Sequence, residues 1–115
     1  MRYVDGFVLP IPKKNLVRYR RVAKLASRAW RRHGALEYCE CAADDMTSKT
    51  FQRQLKLKPG ETVVFAWISY RSRAHRDRVN AKVMNDPRIV AEMKRPMPFD
   101  VKRMLMAGFK AFVDA

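Results

Sequence analysis

Apolar residues recur along this 115-residue chain with two different periods, and the switches between them outline six main elements. From Tyr3 to Leu9 the strand formers Val4, Phe7, Val8 and Leu9 predict a β-strand, and Pro10-Ile11-Pro12 is expected to end it, because proline cannot donate to a ladder. From about Lys13 to His33 the spacing becomes helical. At 100° per residue Leu16, Tyr19, Val22, Ala23, Ala26, Ala29, Trp30 and His33 fall on one side, while Lys14, Arg18, Arg21, Lys24, Arg28, Arg31 and Arg32 fall on the other. Gly34 stands where a helix stop belongs. Glu37 to Ala43 predicts a second strand, and 44–59 reads as a polar loop with some extended structure. Glu61 to Ser69 is the strongest strand, rich in β-branched and aromatic residues. Ser72 is the expected N-cap of a helix from about Arg73 to Asn85 that packs Ala74, Val79 and Val83 or their neighbours; Asp86-Pro87 breaks it. A turn or two of helix is expected over 88–94, and Arg103 to Val113 forms the last strand.

The order β-α-β-β-α-β is the ferredoxin-like, split-βαβ pattern of an α+β protein, with an antiparallel sheet carrying two helices on one face. Period-two spacing puts Phe65 and Trp67 on one side of the third strand and Val64, Ile68 and Tyr70 on the other. A sheet apolar on both faces with only two helices to cover it predicts a second copy on the bare face, hence a homodimer with its helices outward.

Composition adds that the chain is one domain spanning 1–115, long enough for a core, with the 48% apolar and 31% charged residues of a soluble globular protein. No apolar run is long enough to span a membrane and no secretory signal opens the chain, so the cytoplasm is the expected location. The charge is concentrated. Residues 10–33 carry nine Lys/Arg and no acid, residues 71–95 carry eight Lys/Arg against three acids, and together they account for the formal net charge of +14. A basic face implies an acidic partner or a crowd of counterions, so nucleic-acid binding through Lys14, Arg18, Arg21, Arg28 and Arg32 is one functional class to weigh. Against it, Tyr19 and Trp30 lie on the apolar side of that helix, as core rather than base-stacking residues.

Other candidate chemistry is sparse. Cys39 and Cys41 point to one strand face, but with only His33 and His75 on offer they complete no zinc site and read as buried free thiols; no metal and no cofactor is expected. His75 sits early in a helix, where it could act as a neutral acid/base group or merely cap and pack. Asp100 and Arg103 form a polar cluster around the double-proline turn. Asp5 and Glu40 fall inside strands, where a carboxylate needs solvent or a partner; Lys102 or Arg103 is the expected partner of Asp5.

Several stretches together resemble the bacterial YbaA-like family, a domain family of unknown function: Tyr3-Val4-Asp5-Gly6-Phe7, Gly34-Ala35-Leu36-Glu37, Glu61 to Trp67, Ser72 to Asn80, and Met97-Pro98-Phe99-Asp100 with Lys102-Arg103-Met104. The resemblance spans nearly the full length. It implies a ferredoxin-like domain in a dimeric α/β barrel and no established reaction, ligand or cofactor. Val101, where glycine is expected, Leu105-Met106-Ala107 and the unusually basic first helix depart from the family pattern. The expected function is a homodimeric small-molecule-binding or structural module. The alternative, by analogy with cofactor-independent monooxygenases and isomerases among dimeric α/β barrels, is an enzyme using His75, Asp100 or Arg103 in an apolar pocket lined by Trp67 and Phe99.

Overall fold

Two ten-residue strands, β1 (Tyr3–Pro12) and β3 (Glu61–Tyr70), pair antiparallel along their whole length in the computed structural model, which describes residues 1–115. β2 (Glu37–Ala42) joins the free edge of β3 and β4 (Leu105–Lys110) that of β1, giving an antiparallel sheet in the order β2-β3-β1-β4. Four helices interrupt the strands: α1 (Leu16–Arg32), α2 (Thr50–Gln54), α3 (Arg73–Met84) and α4 (Pro87–Met93). No helix is long and apolar enough to cross a membrane.

The expected stop at Pro10 and Pro12 is not one: both lie within β1. The Val63 carbonyl, opposite Pro10, turns away to accept from the Ala43 N–H at 2.9 Å, while the Lys13 N–H returns to the Gly60 carbonyl at 2.9 Å. Positions 10 and 12 therefore point away from β3. On that side β4 ends opposite Val8, so the missing N–H groups remove no ladder bond. The last strand opens at Leu105 rather than Arg103, because Asp100 caps a 3-10 turn over Val101–Arg103 by accepting the Lys102 N–H at 3.0 Å. The polar loop contains the short α2.

One sheet face carries the helices. Ile68 and Tyr70 of β3 pack with Ala29, Val79, Val83 and Ile89; Leu9, Ile11 and Val64 form a second cluster with Leu16 and Tyr19. Side chains as fully buried as Ile11 and Val83 contribute about 1.5–3 kcal/mol each. In α3 the inward positions are His75, Val79 and Val83 at i, i+4, i+8, so His75 rather than Ala74 takes the first of them. Asp5 is buried at 4% exposure, and its partner is neither Lys102 nor Arg103 but Arg76 of α3, whose Nη1 donates to it at 2.6 Å. Alternation puts Asp5 on the helix face of β1, while Arg103 is held elsewhere by Glu61.

α4 is tied to the end of α1 through Asp86. Its carboxylate accepts from the Arg88 N–H at 3.0 Å as N-cap, from Arg32 at 2.7 Å, and lies 2.9 Å from His33 Nε2. These hydrogen bonds, Arg32 first and His33 next, hold the carboxyl well below the usual Asp range. A group lowered in the folded state adds stability above its unfolded pKa and loses it as pH falls toward the folded value. Asp86→Asn is thus expected to be less stable than wild type at neutral pH, with the gap closing between about pH 5 and about pH 2. Thermal unfolding of both proteins across that range measures it, and a gap independent of pH would show that Asp86 acts only as a cap.

Candidate functional site

α1 meets the sheet through small residues. Ala23 and Ala26 occupy the middle of its inward face, Ala29 is its only buried residue, and the shortfall of side-chain volume leaves a cavity of about 400 Å³ between α1 and the sheet. Tyr19, Val22 and Trp30 supply the α1 wall; Phe7, Ala66 and Ile68 form the floor; Met93, Met97, Phe99 and Met104 line the far side of this half-open cavity. Tyr19 and Phe99 meet edge to face at 5.7 Å, and the Trp30 indole N–H donates to Asn80 Oδ1 at 3.1 Å, fixing that end of the wall.

Of the 16 lining residues 15 are hydrophobic, and the other is Glu40 of β2. Alternation along β2 brings Tyr38 and Glu40 to the same face. The Tyr38 hydroxyl donates to Glu40 Oε2 at 2.7 Å, and the Tyr19 hydroxyl, arriving from α1, donates to Oε1. Burial, and then the Glu40 charge, push both phenols above their usual range, so both stay protonated as donors. Glu40 makes no ion pair. It is the one carboxylate of the chain that is neither exposed nor within 4.0 Å of a cation.

The residues singled out from the sequence do not converge on this cavity. Phe99 lines it, but Trp67 belongs to the opposite sheet face, since Ala66 and Ile68 point to the helices and Trp67 between them cannot. His75 is buried at one end of β3: its Nδ1 accepts the Arg71 N–H at 3.0 Å, its ring meets Tyr70 at 5.9 Å, and burial lowers its pKa. Asp100 and Arg103 border a polar groove at the other end of β3, about 30 Å away by the strand rise. Arg103 is engaged there by both oxygens of Glu61, at 2.6 and 3.0 Å, and by the Leu55 and Lys56 carbonyls; its guanidinium holds the Glu61 carboxyl low. The three candidates thus form no common site. Lys14 is exposed in a 3-10 turn just before α1, and Arg18, Arg21, Arg28 and Arg32 are exposed on the outer side of the helix. Cys39 and Cys41 lie on the open face of the sheet as free thiols, their Sγ atoms 3.8 Å apart, so Cys41 is exposed rather than buried. No three His, Cys, Asp or Glu side chains gather to hold a metal ion.

Tyr19, Tyr38 and Glu40 were not legible as a group. Tyr19 reads as core, and Glu40 as a strand carboxylate short of a partner. The available signal was the i, i+2 pair Tyr38 and Glu40 on the inward face of a strand, together with a tyrosine on the inward face of the preceding helix.

A 41% identity over 117 residues, covering 99% of both chains, relates this protein to the "Uncharacterized protein YbaA" of Escherichia coli (strain K12), and the protein of that name from Shigella flexneri matches equally. Among solved structures, Rv0793 from Mycobacterium tuberculosis superposes with a TM-score of 0.59 at 11% identity, covering 100% of this chain and 99% of the other, a likeness of fold alone. A model of the family described as "Protein of unknown function (DUF1428)" matches residues 2–101, and with the full-length relatives it places the chain as a member of the DUF1428 family.

Proposed function

We propose that the protein is a homodimeric small-molecule-binding module whose ligand occupies the cavity beneath α1. One observation carries this reading: an apolar cavity of about 400 Å³ contains a single organised polar cluster. Sites for small molecules have this form, with apolar walls for burial and few polar groups for orientation. The neutral apolar fluorophore N-phenyl-1-naphthylamine is expected to bind saturably, at one per chain, with enhanced emission. Ala26→Trp, which fills the cavity from α1, should abolish that binding while leaving the fold intact by circular dichroism. Undiminished binding by Ala26→Trp would reject the cavity as the site.

The dimer rests on the other sheet face. Phe65, Leu105 and Phe109 there are 47%, 57% and 58% exposed, and Val4, Val8 and Trp67 lie among them on the paired strands. A contiguous apolar surface of this kind marks an interface. A dimeric α/β-barrel arrangement, sheet against sheet, would cover it and leave both copies of α1 facing outward.

Nucleic-acid binding is the second reading, favoured by one observation: of the nine cations from Lys13 to Arg32, only Arg32 is engaged in an ion pair. The others are exposed, along the 17-residue helix and the 3-10 turn before it, with Arg18 and Arg31 donating only to the Pro96 and Ala35 carbonyls, and their charges can neutralise phosphates. Under this reading Arg21→Glu with Arg28→Glu lowers the salt slope of binding to a duplex oligonucleotide by about two. An unchanged slope in filter binding or anisotropy rejects it.

A further inference from the structure

The lone carboxylate in the cavity says which end of a ligand it receives. Resting on the cavity reading above, we infer that the ligand is a small apolar molecule carrying a protonated amine, and that Glu40 binds the ammonium group.

Charge is the main argument. The chain has 25 Lys/Arg against 11 Asp/Glu, yet the only acid withdrawn from solvent without a cation is the one facing this cavity. Every other acid is exposed or paired, including the buried Asp5 with Arg76 and Asp86 with Arg32. Arg20 borders the small recess on the outer side of Glu40 but stays beyond ion-pair distance. A carboxylate held against apolar walls is stabilised by any cation that reaches it. No cation lines the cavity, so an anionic ligand would meet only like charge there.

Hydrogen bonding agrees. A carboxylate offers about four acceptor positions, and the two phenols occupy two of them. Each phenol, having donated its hydrogen to Glu40, keeps its oxygen lone pairs as acceptors. The cluster therefore presents Glu40, Tyr19 and Tyr38 oxygens with acceptor capacity left over and no spare donor. An ammonium group, with three N–H donors and no acceptor, is the complement; a hydroxyl fills one position and a carboxylate none.

The rest of the ligand is apolar. A second recess of about 260 Å³, bounded by Met84 and Ile89, adjoins it and shares Val22, Ala26 and Trp30 as lining. Met93 and Met97 border both spaces, and their flexible thioethers can adapt to ligands of different outline.

The test is competition against N-phenyl-1-naphthylamine by three probes of equal chain length: octylamine, 1-octanol and octanoate. Octylamine is expected to displace the fluorophore at a concentration about tenfold or more below that of 1-octanol, with octanoate weakest. Glu40→Gln, which keeps the side-chain shape, should erase the advantage of octylamine over 1-octanol. A wild-type circular dichroism spectrum and saturable fluorophore binding by Glu40→Gln guard against a protein that merely folds poorly. Equal displacement by all three probes, or octanoate as the strongest, overturns the amine reading while the cavity stands. Failure of the fluorophore itself to bind overturns both.

Discussion

Asp5→Ala is expected to lower the unfolding free energy by about 3–5 kcal/mol, a large part of the about 5–15 kcal/mol typical of a domain. Removing the carboxylate leaves Arg76 with 18% of its side chain exposed and its remaining acidic contact, Asp77, mostly in solvent. The Arg76 guanidinium also lies 5.0 Å above the Tyr3 ring, so it cannot leave without disturbing β1. Burial pushes the Asp5 carboxyl above the usual Asp range against the pull of Arg76. Desolvation is thus the larger effect, and the pair itself adds little net stability. That asymmetry yields a second, sharper expectation. Asp5→Leu combined with Arg76→Met should recover most of the stability lost by either change alone, because it removes both charges together. Urea unfolding of the three variants measures this, and losses that simply add would reject the coupling.

Phe109→Glu is expected to convert the proposed dimer to a monomer. Wild type should then run in light scattering at twice the 13.5 kDa chain mass, and the variant at the chain mass, with an unchanged circular dichroism spectrum. Phe109 covers Gly6, with its ring about 3.3 Å from where a Cβ on that glycine would sit, so from the edge strand β4 its ring reaches inward over β1 on the open face. A stable interface needs about 1,200–2,000 Å² of buried surface, and a charge set into its centre without a partner costs several times what a rim charge does. Phe65→Glu on β3 should act in the same way. A wild-type protein that is monomeric at micromolar concentration would overturn the sheet-to-sheet assembly.

Strands and helices were readable because their residues repeat at the periods that burial on one face requires. The wheel of α1 is the clearest case: the residues sorted to its apolar side, Tyr19, Val22, Ala23, Ala26 and Trp30, are those that face the sheet. The pairing of Asp5 was not readable, since it depends on how α3 crosses β1 and not on any local pattern. Likewise the apolar pocket expected by fold analogy to be lined by both Trp67 and Phe99 does not form, since alternation along β3 sends Trp67 to the far side. Pro10 and Pro12 misled for a related reason. Proline forbids a hydrogen bond in one direction only, and the sequence does not say which neighbour a strand lacks. The cavity was least legible, because Ala23 and Ala26 look like ordinary small core residues until the opposing surface is seen not to close on them.

Those two prolines also bear on how the protein avoids its own company. Beyond Val8 the outer flank of β1 has no neighbouring strand; the 3-10 turn over Val101–Arg103 packs there instead, with Pro10 fully buried, and a flank without a strand partner would template a foreign strand if that cover came away. The residues whose amides would point outward there are Pro10 and Pro12, so the flank offers carbonyls but no donors. An incoming chain finds half of its hydrogen bonds unanswered. Strand addition, and with it the early steps of fibre growth, is blocked at that flank by the same two residues that let β1 run its full length beside β3.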